Sequence, residues 1–120
     1  MAIRAVKNSH SALAGFSTQP RFCFFELWDE RGTYAAAALA EHADSLELHL
    51  EVLRFGPATV RALRADMEEL KALARSLGKT RIVGLRTEDG QIPDPRWPKF
   101  TRLFGFTGQR VFQAAELHLD

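Results

Sequence analysis

A chain of 120 residues, 46% of them hydrophobic and 26% charged, has the size and balance of a single globular domain. Sixteen basic residues against fifteen acidic ones leave a formal net charge of +1, without the broad positive footprint that nucleic-acid binding needs. Cys23 is the only cysteine, which excludes an intrachain disulfide and a cysteine zinc site.

Ile3 to Val6 reads as an opening strand, followed by Lys7, Asn8, Ser9 and His10 rather than by the apolar run of a secretory leader. Asn8 to Thr18 reads as one short helix closed by Pro20. Arg21 to Trp28 carries Phe22, Phe24, Phe25 and Trp28 and is predicted as a strand, with Phe22, Phe24 and Trp28 in the core and Cys23 a buried thiol between phenylalanines. Asp29-Glu30-Arg31-Gly32 is turn chemistry. The run Ala35 to Ala38 favours helix by propensity, but a hairpin needs a return strand and small residues suit a crowded sheet, so strand is expected. Tyr34 to Ala40, the longest apolar stretch, is too short to span a membrane, and cytoplasm is the expected compartment.

Leu46, Leu48, Leu50 and Val52 alternate with Glu47, His49 and Glu51, the period of a half-buried strand. The polar set of Glu47, His49 and Glu51 reads as a solvated face. Gly56-Pro57 opens a long helix, with Val60, Leu63, Met67, Leu70, Ala74 and Leu77 on one apolar stripe and Gly78 as its left-handed end. Arg64 with Glu68, and Glu68 with Lys71, can pair on its solvent side. Ile82, Val83 and Leu85 form a strand that a right-handed crossover sets parallel to the Leu46–Leu53 strand. Asp94 caps a short helix running to about Phe104, with Trp97, Phe100 and Phe104 on one face, and Arg110 to Leu119 closes the chain as a strand. The expected fold is α/β: a mixed central sheet of about six strands with one long and two short helices, in one domain spanning residues 1–120.

Several stretches resemble the GNAT (acyl-CoA N-acyltransferase) superfamily. They are the opening Ile3-Arg4, the strand–loop–helix unit from Leu46 to Gly78, and Leu103-Phe104-Gly105-Phe106 at the end of the last helix. Asp94-Pro95-Arg96-Trp97 through Phe106 is most similar to GNAT-like proteins encoded by tailed phages. The resemblance implies acetyl-CoA binding at Arg54, Phe55, Gly56, Ala58 and Thr59, where a glycine turn at a helix N-terminus offers N–H groups to a pyrophosphate. It also implies a gap between the Leu46–Leu53 and Arg81–Thr87 strands that admits the pantetheine arm, and, against the solvated-face reading, a general base on the polar face of Glu47, His49 and Glu51, with Glu51 or His49 as the candidates.

Four departures from the family pattern stand out. Arg54-Phe55-Gly56-Pro57-Ala58 is one residue shorter than the Gln/Arg-x-x-Gly-x-Gly/Ala loop, and Pro57 removes an N–H. The strand Arg81–Thr87 has no asparagine, Thr101 stands where a tyrosine acid is expected, and the segment between the first two strands is short. The implied function is a phage- or prophage-type protein with eroded acetyl transfer that works by binding a phage structural or host protein, in a bacterial cytoplasm or a virion. The alternative is an active acetyl-CoA-dependent N-acetyltransferase. No nucleic acid, membrane or metal is expected; His49 and His118 sit in echoing Glu-Leu-His-Leu contexts, which alone make no metal site. Arg96, Lys99, Arg102 and Arg110 read as a solvated basic face that complements the last helix's C-terminal dipole, or as a seat for an acidic or phosphate-bearing partner.

Overall fold

The computed structural model describes residues 2–11, 13, 21–85, 96–108, 115 and 117–119. Hairpins build the sheet in chain order. Strand β1 (Ala2–Val6) pairs antiparallel with β2 (Cys23–Asp29), setting Ile3 opposite Leu27 and Ala5 opposite Phe25. β2 turns into β3 (Gly32–Glu41) through the predicted turn, where the Asp29 carboxylate accepts the Arg31 backbone N–H at 2.8 Å. β3 returns antiparallel to β4 (Ser45–Val52), with Ala35 opposite Val52 and Leu39 opposite Leu48. The strand order is β1-β2-β3-β4-β5.

The alanine run is strand, as the hairpin argument requires. Ala35, Ala36 and Ala38 are 0% exposed, because β3 is flanked by β2 and β4 and covered on both faces. Methyl side chains are what such a two-sided site admits. On one face Ala36, Ala38 and Ala40 pack with Leu13, Phe22 and Phe24. The other face takes helix α1 (Pro57–Ser76), which buries Leu63, Met67, Leu70 and Ala74 of the predicted stripe. A register shift at Leu27/Trp28 turns Tyr34 toward this helix, and its hydroxyl donates to Asp66 of α1.

Pro57 takes the first helical position as predicted, and Gly78 ends the helix at φ +76°, a left-handed conformation that costs a side-chain-bearing residue. Of the two ion pairs expected on its solvent side, Lys71–Glu68 forms at 2.9 Å. The exit loop is tied to the β3–β4 turn: Lys79 Nζ donates to the His42 carbonyl at 2.6 Å and Thr80 N–H to Asp44 at 2.9 Å. β5 (Arg81–Gly84) then runs parallel to β4, as the crossover rule predicts.

The chain divides into two units, Met1–Arg86 and Thr87–Asp120. In the second, α2 spans Trp97–Arg102; Phe100 lies 6.2 Å from Trp97 and 5.2 Å from Phe104, the predicted aromatic face. Asp94, Pro95 and Arg110, most of the Asn8–Thr18 helix and most of the Arg110–Leu119 strand lie outside the described residues. The sheet has five strands among the described residues, against the six expected; Leu117 and Leu119 are 88% and 90% exposed and in no strand. Two burial expectations fail within the first unit. Cys23 is exposed, because β1 reaches along β2 only as far as Phe24 among the described residues. Trp28 is 38% exposed at the far end of the same strand.

Candidate functional site

Among the described residues the parallel register of β4 with β5 reaches Leu48 opposite Gly84, and Leu85 N–H bonds the Leu48 carbonyl at 3.0 Å. β4 continues through His49, Leu50, Glu51 and Val52 and leads directly into the loop of Leu53 to Gly56 and the N-terminus of α1.

That N-terminus has no side-chain cap and no acidic residue in its first turn. Val60 N–H bonds the Gly56 carbonyl at 3.1 Å, and by helix geometry the N–H groups of Ala58 and Thr59 precede the intrahelical ladder. Gly56 sits at φ +150°, reserved in practice for glycine, and a Cβ there would meet nothing within 4 Å. The surface beside it is therefore open to a group that approaches the backbone closely. Thr59 is buried and its hydroxyl donates to the Arg54 carbonyl at 2.7 Å, which fixes the loop. Arg54 reaches across to Asp29 at 2.7 Å and is 23% exposed. The Arg54 hydrogen bond, with that from Arg31 N–H, holds the Asp29 carboxyl below its ordinary range. Phe55 is 74% exposed and Leu53 39%, so the loop presents apolar surface beside the helix end.

The other predicted site residues stand on the β4 face turned away from α1, and here the solvated-face reading is overturned. Glu47 and His49 are 7% and 6% exposed. They are buried because Phe22 folds over this face, its ring edge-on to His49 at a centroid distance of 5.5 Å. Glu47 compensates its burial through hydrogen bonds to His49 Nε2 and His42 Nε2, both 2.6 Å, with Arg21 at 3.5 Å. Glu51 lies on the same face and is partly exposed. Beneath α1 lies a second buried carboxyl, Asp66, whose partner is Tyr34. Burial pushes Asp66 up from the ordinary carboxylate range, and burial together with Asp66 pushes the Tyr34 phenol up as well.

His42, Arg21, Tyr34 and Asp66 escaped the sequence reading. Asp66 was visible in principle, since it falls three residues after Leu63 and four after Ala62, inside the helix's buried stripe. His42 and Arg21 lie in irregular segments and carry no periodic signal. In the second unit, Thr101 is buried and its hydroxyl donates back to the Trp97 carbonyl at 2.9 Å. Arg96, Lys99 and Arg102 are exposed, and Arg102 Nε donates to the Pro98 carbonyl at 3.2 Å. His118 is exposed, and no cluster of metal-ligating side chains occurs among the described residues. No helix there is long and apolar enough to cross a membrane.

No family model matches the chain, and no curated protein matches it in sequence. Solved structures do. The aminoglycoside N-acetyltransferase AAC(6')-Iy in complex with CoA aligns with a TM-score of 0.63 at 12% identity, over 98% of this chain and 100% of that one. The BH1408 protein from Bacillus halodurans aligns with a TM-score of 0.62 at 15% identity, over 99% of this chain and 100% of that one. An aminoglycoside acetyltransferase from an uncultured soil metagenomic sample, in complex with sisomicin, aligns with a TM-score of 0.58 at 12% identity, over 91% and 73%. A strand running through a glycine turn into a long crossover helix thus belongs to a known architecture: this chain has the fold of the GNAT-type acetyltransferases.

Proposed function

We propose that this chain binds acetyl-CoA along β4 and the N-terminus of α1 and transfers the acetyl group to an amine. The observation that carries the reading is the run of β4 through a glycine turn into a helix N-terminus at Gly56-Pro57 that has no side-chain cap. The pyrophosphate would lie against the N–H groups of Ala58 and Thr59, beside Gly56, Phe55 and Arg54. An extended pantetheine arm would bond to the β4 edge as an added strand does. A CoA complex of a protein with the same fold supports the choice of ligand.

When bound, acetyl-CoA would supply an activated carbonyl and a thiol leaving group able to depart as thiolate. The chain's own part is on the base side. His49 follows Leu48 on β4, and because its ring is buried the amine's proton would reach it through a water. Glu26, Glu47 and Glu51 share this face and favour a cationic acceptor.

A second reading is favoured by how the remaining groups are engaged: Arg54 is held by Asp29, Thr101 by its own helix, and Pro57 lacks an N–H. In it the chemistry is eroded and the fold serves to hold a protein partner, as the phage-type resemblance implies for a virion-associated or host-directed protein.

Calorimetric titration with acetyl-CoA separates the two. The transfer reading expects micromolar binding, roughly −8 kcal/mol, weakened by Arg54→Ala. It also expects Asp29→Asn to tighten binding, since the substitution releases the Arg54 guanidinium. Thiol release in the presence of sisomicin then follows turnover, in a Cys23→Ser background because the native thiol is exposed. No heat at high acetyl-CoA concentration sinks the transfer reading and leaves the binding one.

A further inference from the structure

Two imidazoles converge on one carboxylate within the face of the sheet turned away from α1. Glu47 Oε2 lies 2.6 Å from His49 Nε2, and Oε1 lies 2.6 Å from His42 Nε2. A carboxylate only accepts, so each of these nitrogens must carry the hydrogen and donate it. In the neutral ring the lone pair then resides on Nδ1. We propose that Glu47 is the positioning residue of His49, fixing the tautomer in which Nδ1 is basic and balancing the imidazolium that forms when His49 takes the amine's proton. The proposal rests on the transfer reading above.

The surroundings are built to keep Glu47 charged. Burial raises its carboxyl, but the hydrogen bonds from His42 and His49, with the charge of Arg21, outweigh burial and hold it below its usual range. The side chains of Glu47 and His49 are 9% and 8% exposed, whereas His42 is 46% exposed and Arg21 55%. The constellation thus runs from a buried base to a solvent-facing support. Arg21 also lies 4.6 Å over the Phe22 ring that packs on His49, and Ala38 stands opposite His49 in β3, leaving room for the imidazole. Among the described residues, the other charged groups on this face are Glu51 and, on β2, Glu26 with its partner Arg4 at 2.9 Å. Lys79, at the turn, is held by Glu41 at 3.3 Å and by the His42 carbonyl.

In the reaction the C–N bond forms as the C–S bond breaks. The amine's proton passes through water to His49 Nδ1 and is returned to solvent. The Nε2 hydrogen stays on nitrogen throughout, so Glu47 supplies charge and orientation and accepts no proton.

The test is a long-range proton–nitrogen correlation on the uniformly labelled full chain, beside Glu47→Gln. The wild type is expected to carry its hydrogen on Nε2 of both His42 and His49. Glutamine keeps the shape but presents one acceptor and one donor end, so one of the two histidines must switch to the Nδ1–H tautomer. With sisomicin as acceptor, Glu47→Gln is expected to lower kcat on the order of a hundred-fold while KM for acetyl-CoA stays unchanged. A structural role alone would move the melting temperature and KM together. His49 with its hydrogen on Nδ1, in a chain that binds acetyl-CoA, overturns this proposal alone, as does a wild-type kcat in Glu47→Gln. A chain that binds no acetyl-CoA overturns the transfer reading and this proposal with it, whatever the tautomer.

Discussion

Asp66 beneath α1 and Glu47 on the opposite face of the sheet are both buried carboxyls, yet their surroundings drive them in opposite directions. Asp66 has one phenol as partner, its Oδ1 has none among the described residues, and burial pushes it toward the protonated form. Glu47 is also penalised by burial, but it receives two imidazole hydrogen bonds and the nearby charge of Arg21, and it stays ionised. The number and charge of the donors, rather than burial, decide the direction in which each carboxyl is shifted. The same contrast separates roles: the Tyr34–Asp66 pair ties a helix to a strand, whereas the Glu47 cluster can hold a base in a chosen tautomer.

The contrast breaks hardest at Tyr34. Tyr34→Phe leaves the buried Asp66 carboxyl without its donor and should cost about 2–3 kcal/mol in urea unfolding. Adding Asp66→Leu removes both polar partners and should recover most of that loss, because two matched apolar groups leave nothing unsatisfied. If the double variant is as unstable as the single one, the pair holds more than its own hydrogen bond. On the other face, His49→Ala takes one of two donors from a charged group and should cost about 2 kcal/mol. Its loss should persist in high salt, since the contact is buried.

The alternation of Leu46, Leu48, Leu50 and Val52, the α1 stripe, Pro57 and Gly78 were all legible because each depends on neighbours a few positions away. The α/β order and the parallel crossover followed from them. The buried state of Glu47 and His49 was not legible. Alternation assigns a residue to a face but does not say what covers that face, and here the cover is Phe22, from a segment without periodicity. Nor did the Arg54–Asp29 pair show, since it needs the β2–β3 turn and the α1 loop brought to the same end of the sheet. The candidate loop itself was readable by resemblance; the engagement of its arginine was not.

Titration sharpens the contrast without removing a contact. For Asp66 the folded state binds its proton more tightly than the unfolded chain, so stability falls as pH rises above the ordinary value of 3.8. For Glu47 the folded state binds its proton less tightly, so its contribution is present above the ordinary value of 4.5 and is lost as pH falls through the lower folded value. Asp66→Asn should therefore be relatively more stable at neutral pH than in acid, and Glu47→Gln should lose the acid-side decline. Urea midpoints across that range read both signs; two variants with the same pH slope would show that the opposition between the faces is wrong.

The smallest expected effects fall at the solvent-facing end of the Glu47 cluster, and their smallness is informative. Arg21→Ala removes a contact of 3.5 Å from a side chain that is 55% exposed, and His42→Ala removes a donor that is 46% exposed. Water and salt substitute for such groups, so each should cost below about 1 kcal/mol. Arg21 also lies over Phe22, so the part of its loss that survives high salt measures packing rather than charge. Losses for these two variants equal to that of His49→Ala would mean that the cluster acts as one cooperative unit, and the gradient from buried base to exposed support would have no energetic basis.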